Sequence, residues 1–391
     1  MDKRLPLSGW MRRTDLAQLV AALGADNVRW VGGAVRDTLL GADVADVDAA
    51  TTLLPDAVID RLKQAGIRSI PTGLDHGTVT AVLAGGAVEI TTLRKDVATD
   101  GRRATVAFAS DWRSDAARRD FTINALYAAP DTGEISDYFG GLEDLSNHHV
   151  RFIGDAGERI REDHLRILRY FRFQARFGGQ WNRGAVDACR DLASTVTHLS
   201  RERVAKEVLL LLALPDPAKT VEKMMALGVW KVIVPESGAR DLQRLRDVIC
   251  AENAADIAAD PIRRLAALLP ALPAIAEEVG TRLRLSNAER RRLVCAAERS
   301  ASDAGNPRAL AYYEGRESAL DRLLLNGADT AVLKDWSPPQ FPLKGSAIMD
   351  RGVPAGPQIS RLSKHIEAQW VAEGFPDQTR LLQILDTALK Q

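Results

Sequence analysis

Val31-Gly32-Gly33-Ala34-Val35-Arg36-Asp37, followed by Asp46-Val47-Asp48, is the stretch on which the reading of this chain turns. Two glycines close a short strand, Val28–Val31, and open a helix over Ala34–Leu40. Glycine removes the side chain that would block close approach of backbone to a phosphate. The helix start offers unpaired N–H groups and a positive dipole end, and Arg36 in its first turn is within reach of a phosphate oxygen. Asp46 and Asp48 fall on the next strand, Val44–Ala50, and side chains two apart on a strand share a face. Two carboxylates on one face repel each other and are costly to desolvate, and a cation removes both problems. Oxygen ligands of this kind suit Mg²⁺, which keeps several waters and takes one or two carboxylates plus phosphate oxygens. Glu89 is the candidate third ligand. Taken singly, Gly32-Gly33 also fits a tight turn without a ligand, and Asp46/Asp48 a solvated strand end. The GxGxxG dinucleotide pattern is missing.

Outward from this stretch, Val79–Leu83 and Val88–Leu93 read as strands joined at Gly85-Gly86, and Pro55–Ala65 as a helix. The charged run Arg94–Arg103 reads as a mobile loop. From about Gly154 strand signals almost vanish, and helical stretches rich in Ala, Leu and Arg follow, broken by prolines. The architecture is α+β: a small mixed α/β head joined to a long all-helical remainder. Asp137-Tyr138-Phe139-Gly140-Gly141 reads as a hinge between the two.

Two blocks add candidate ligands. In Arg118-Arg119-Asp120-Phe121-Thr122-Ile123-Asn124, Arg119 is a candidate for phosphate or ribose, with Asp120 and Asn124 fixing the local backbone. In Glu162-Asp163-His164-Leu165-Arg166-Ile167-Leu168-Arg169-Tyr170-Phe171-Arg172-Phe173, helical spacing puts Asp163, Arg166, Arg169 and Arg172 on one row. An amphipathic helix with solvated charges is the structural alternative. Three arginines facing one aspartate nevertheless leave surplus positive charge for a phosphate or a base edge. A carboxylate only accepts hydrogen bonds and a guanidinium only donates them. Cytosine and adenine both present an amino donor beside a ring-nitrogen acceptor, whereas guanine and uracil present a carbonyl and an N–H. Asp163 with Arg166 therefore fits C and A, and selects them without a nucleic-acid template.

The chain has 391 residues and a formal net charge of zero, which argues against indiscriminate nucleic-acid binding. From Arg151 to Glu207, however, 12 Lys/Arg stand against 8 Asp/Glu, a local excess of 4 suited to a defined polyanion. No apolar run reaches the roughly 18 residues of a membrane span, and the first residues lack the apolar core of a signal peptide. The 3 cysteines form no CxxC pair, so a reducing cytoplasm is the expected location.

Together the ordered blocks GGAVRD with DVD, RRDFTINAL, DYFGGLEDL, EDHLRILRYFRF and Ser200-Arg201-Glu202-Arg203 resemble the bacterial class II nucleotidyltransferases of the polymerase β superfamily, the tRNA CCA-adding enzymes and bacterial poly(A) polymerases. The resemblance covers nearly the whole chain. It implies a nucleotidyltransferase head over 1–150, a nucleotide-selecting helical neck over 151–215, an RNA-binding helical body over 216–300 and a tRNA-contacting helical tail over 301–391. It implies that Asp46 and Asp48 are catalytic and bind Mg²⁺, that Gly33 and Arg36 hold the triphosphate, and that Arg119 contacts the nucleotide. Asp163 and Arg166 would select CTP and ATP, with Arg169 and Arg172 on sugar or phosphate. The expected partner is tRNA, to which C, C and A are added, with no membrane. Lys95–Ala104 resembles the flexible loop needed for the final A. No His-Asp dipeptide occurs, so the C-terminal phosphohydrolase domain of some relatives is expected to be absent. The Pro/Gly stretch from 338 to 357 reads equally as a tRNA contact or a structural cap. A poly(A) polymerase with the same site is the alternative, and a non-catalytic RNA-binding protein is the rival from another class.

Overall fold

The computed structural model describes residues 3–99, 104–109 and 111–390. Contacts divide them into two units: residues up to Val208 with Lys219–Ile233, and Leu209–Ala218 with Val234 onward. The first unit thus holds the α/β head together with helices of the expected neck.

That unit begins α1 (Thr14–Leu23), β1 (Val28–Val31), α2 (Gly33–Leu39), β2 (Val47–Thr51), α3 (Pro55–Gln64), β3 (Arg68–Gly73), β4 (Thr78–Leu83) and β5 (Gly86–Thr92). It continues through β6 (Arg94–Thr99), β7 (Ala104–Phe108), α4 (Trp112–Ala117), β8 (Leu126–Ala128), β9 (Ile135–Asp137) and α5 (Gly141–Ser146). The helices α6 (Ala156–Glu162), α7 (Arg166–Phe177) and α8 (Arg183–Asp191) follow, and α9 (Arg201–Leu212) starts there. Seven strands form one sheet in the order β3-β4-β5-β2-β1-β8-β9. Only β2 and β5 pair in parallel. Register sets the chemistry. Val31, the last residue of β1, lies opposite Asp48, and Asp48 lies beside Glu89. The glycine turn is thereby delivered to the carboxylates. Beneath it, Val31, Ala50, Leu93, Ala116, Ala125, Tyr127 and Ile153 form a buried cluster.

Three expectations are corrected. The segment from Arg94 is not a loop: β6 and β7 pair antiparallel as a separate ribbon, while residues 100–103 of the expected flexible loop lie outside the described residues. Backbone pairing satisfies N–H and C=O groups whatever the side-chain polarity, so a charged run forms strands readily. Asp137 is no hinge. Its carboxylate accepts N–H bonds from Phe139, Gly140, Gly141 and Leu142 at 2.9–3.2 Å, and a Cβ at Gly141 would lie 2.3 Å from the Thr122 carbonyl oxygen. The turn is locked inside the first unit. Finally, Asp163 does not share a helix with the arginines. Helix α6 ends at Glu162, and Asp163 is extended (φ −149°, ψ 106°) before α7 begins at Arg166. Its carboxylate accepts the Leu165 N–H at 3.1 Å, a local bond that competes with helix continuation.

The second unit is helical. A buried charge network organises it: Glu252 accepts from Arg263 at 2.7 Å and Arg264 at 2.8 Å, and Asp321 accepts from Arg263 at 2.8 Å and Arg292 at 2.6 Å. Arg264 also caps the carbonyls of Leu212, Leu214 and Pro215. Deleting one partner of a buried pair leaves an uncompensated charge and costs about 3–5 kcal/mol. Glu252→Ala is therefore expected to lower unfolding free energy by about that amount, read in a urea titration. Further on, Phe341, Leu343 and Val353 of the Pro/Gly stretch pack on the core around Ile366 and Trp370. No helix among the described residues is long and apolar enough to cross a membrane.

Candidate active site

A cavity of about 740 Å³ opens in the first unit where the β1–α2 turn, the start of β2, the middle of β5, and helices α7 and α9 converge. Gly32 occupies the left-handed region (φ +70°), which favours glycine. Gly33 does not, and a Cβ there would meet only Arg36 Nη2 at 3.8 Å. The fold therefore requires glycine at 32 but leaves open space at 33, facing the cavity.

Asp46, Asp48 and Glu89 line the same cavity. Burial, then the neighbouring charges of Glu89 and Asp46, push the Asp48 pKa up to about 6 against the partial relief given by Arg119. Carboxylates so placed are suited to a hard cation, because they supply oxygen acceptors and no competing donors. Among the described residues, however, no group of three or more His, Cys, Asp or Glu is drawn together closely enough to hold a metal ion. Asp46, Asp48 and Glu89 have no ion pair or hydrogen bond with other described side chains.

The opposite wall is arginine-rich. Arg36 is buried, paired with Asp37 at 2.9 Å and donating to Asn124 Oδ1 at 2.5 Å. Its guanidinium lies 4.4 Å from the Phe177 ring centroid and 5.3 Å from that of Phe173. Burial lowers its pKa, and Asp37 counteracts that. Arg119 is held by the Tyr127 hydroxyl at 2.9 Å and Asp115 at 3.2 Å. Asp120 accepts from Asn124 at 2.9 Å and from Arg169 at 2.8 Å. Burial disfavours its charge, yet Arg169 and the Asn124 hydrogen bond prevail and hold its pKa well below the usual carboxylate range. Arg172 pairs with Glu207 at 2.6 Å and Arg176 with Asp37 at 3.3 Å. These supports fix the guanidiniums before any ligand arrives.

Gly33, Arg36, Asp46, Asp48, Glu89, Arg119, Arg169 and Arg172 are thus brought together. Asp163 and Arg166 are not among the lining residues. Asp163 pairs with Arg203 at 2.7 Å, while Arg166 pairs with Glu162 at 2.5 Å and donates to the Arg159 carbonyl at 2.9 Å. Sequence reasoning missed Tyr127, Asp115, Arg176, Lys206 and Glu207. Arg176 was within reach, since it extends the arginine row by four residues. So was Asp115, four residues before Arg119, whereas Tyr127 reaches Arg119 from β8.

The family model described as Poly A polymerase head domain matches residues 28–151, and that described as Probable RNA and SrmB-binding site of polymerase A matches residues 184–239. The mouse CCA tRNA nucleotidyltransferase 1, mitochondrial, is 35% identical over 369 residues, covering 89% of this chain and 83% of the relative. The CCA-adding enzyme of Lacticaseibacillus paracasei is 32% identical over 381 residues, covering 93% and 92%. Among solved structures, the CCA-adding enzyme of Bacillus stearothermophilus in complex with CTP superposes with a TM-score of 0.74 at 25% identity, covering 96% of this chain and 98% of that one. With relatives of this identity aligned along most of both lengths, and with the same head fold, the chain belongs to the class II CCA-adding tRNA nucleotidyltransferase family of the polymerase β superfamily.

Proposed function

We propose that this protein adds C, C and A to the 3′ end of tRNA, using CTP and ATP, in a cytoplasmic setting. The observation that carries the reading is the single cavity in which a glycine turn, three carboxylates and a braced arginine wall converge. Relatives carrying the CCA-adding name along most of the chain support this activity over poly(A) synthesis. The proposed head, neck, body and tail roles follow the same reading.

In the proposed reaction the RNA 3′-hydroxyl attacks the α-phosphate of the nucleotide, and pyrophosphate leaves. Asp46 and Asp48, with Glu89 beside them, would hold Mg²⁺. Bound Mg²⁺ supplies the positive charge that favours ionisation of the attacking hydroxyl and offsets charge on the leaving pyrophosphate. The Gly32-Gly33 turn admits the phosphates close to the backbone, and Arg36 presents fixed charge to them. Arg119, tied to Tyr127 and Asp115, faces the nucleotide, and Arg169 and Arg172 the sugar or phosphate. Asp163 and Arg166 read the base. That role requires Asp163 to share or leave Arg203, and Arg166 to share or leave Glu162.

Two expected results follow from the site. Gly33→Ala keeps the fold, since beyond its chain neighbours and its own helix backbone its Cβ meets nothing closer than the Arg36 side chain at 3.8 Å, but raises the KM for CTP and ATP by about tenfold. Unchanged KM values in steady-state assays would contradict a close approach of phosphate there. Asp48 must be ionised to bind a cation, and its pKa stands at about 6. Apparent Mg²⁺ affinity should therefore weaken as pH falls through about 6, because protons compete for the carboxylate. Activity titrations with Mg²⁺ on both sides of that pH check this. The reading itself is tested with a tRNA that already ends in CC. ATP alone should add one A, and CTP alone should add nothing.

A further inference from the structure

Lys206 differs from every arginine that lines the cavity. Arg36, Arg119, Arg169, Arg172 and Arg176 each have a carboxylate partner at 2.6–3.3 Å. Lys206 lines the same cavity from α9, is exposed, and among the described residues has no ion pair, hydrogen bond or ring contact. The adjacent residue, Glu207, turns inward to Arg172 and leaves the lysine facing the cavity. Paired guanidiniums have part of their charge and their donors already committed. An ammonium on a flexible four-carbon stem keeps all three donors for a ligand.

Its position selects the ligand. Phe173 joins two parts of the wall: its ring centroid lies 5.3 Å from the Arg36 guanidinium and 4.6 Å from that of Arg172. Arg36 stands in the helix that begins at the glycine turn, and Arg172 shares Glu207 with the Lys206 side of α9. Lys206 therefore stands at the α9 end of a wall that runs from Arg172, assigned to sugar or phosphate, through Phe173 to Arg36, assigned to the triphosphate. We infer that Lys206 contacts the triphosphate of the incoming nucleotide, as the mobile cation completing a wall of otherwise pre-paired arginines. The inference rests on the nucleotide-adding reading of this cavity and goes beyond it in assigning a residue outside the motifs quoted for the head and α7.

Lys206→Ala and Lys206→Arg test it in steady-state extension of a tRNA lacking its 3′ terminus. The alanine variant should raise the KM for CTP and for ATP together by about five- to tenfold, with the KM for tRNA unchanged. Inhibition by inorganic tripolyphosphate should weaken by a similar factor, and discrimination against UTP and GTP should not move. The arginine variant should recover most of the loss. Nucleotide KM and tripolyphosphate inhibition both within twofold of wild type, in a variant with a wild-type melting curve, would overturn the assignment. So would a rise confined to the KM for tRNA, which would assign the lysine to an RNA phosphodiester instead. Failure of the unmodified protein to extend tRNA would refute the underlying reading, a result distinct from either.

Discussion

Asp48→Ala is expected to lower kcat for nucleotide addition by about a thousandfold or more, because a cation bound there contributes several kcal/mol of charge stabilisation. The fold should survive. Asp48 makes no ion pair or hydrogen bond with other described side chains, and burial with the nearby Glu89 and Asp46 charges raises its pKa to about 6. The sign of that shift matters. A carboxyl whose pKa is raised on folding contributes stability below its unfolded value, near 3.8, and loses that contribution as pH rises through about 6. At neutral pH, without cation, removing it costs no stability. Melting curves at neutral pH without Mg²⁺ should place the variant at or above the parent protein. Asp46→Ala should behave alike in activity. Near-normal turnover in either purified variant would remove the metal assignment.

Asp163→Ala carries the second large effect, on selectivity rather than rate alone. A matched acceptor and donor on a base edge contribute about 1–3 kcal/mol of discrimination, roughly five- to 150-fold. The ratio of kcat/KM for CTP over UTP, and for ATP over GTP, should fall by that order. Loss of the Asp163–Arg203 pair, whose side chains are 24% and 32% exposed, should cost at most about 1 kcal/mol of stability. Competition assays with mixed nucleotides give the ratio directly, and unchanged discrimination would sink the side-chain template. Arg203 bears on the same question. It holds the Asp163 carboxylate outside the cavity lining, so Arg203→Ala should alter selectivity without touching the metal pole.

Much of this site was legible because its chemistry is written in short spacings. Gly32-Gly33 and Asp46/Asp48 lie at the ends of adjacent antiparallel strands, so a strand-turn-helix-strand reading is enough to bring them together. The strands that escaped notice had physical reasons to do so. β3 carries Pro71, is largely exposed and pairs on only one side as an edge strand. β8 and β9 have three residues each, too few to show an alternation. The Asp163 row failed for a different cause. Spacing of three residues predicts a shared helix face, but a side-chain bond from Asp163 to the Leu165 N–H broke the helix first. Lys206 and Tyr127 became visible only through tertiary structure, since neither belongs to a local pattern.

In this protein side chains alone specify three nucleotides. Product length measures it most directly. A tRNA lacking its 3′ terminus, incubated with Mg²⁺, CTP and ATP, should grow by C, C and A and stop. With CTP alone it should gain two residues. A long ladder of A would contradict the account in favour of poly(A) synthesis, and no extension would contradict it in favour of RNA binding without catalysis.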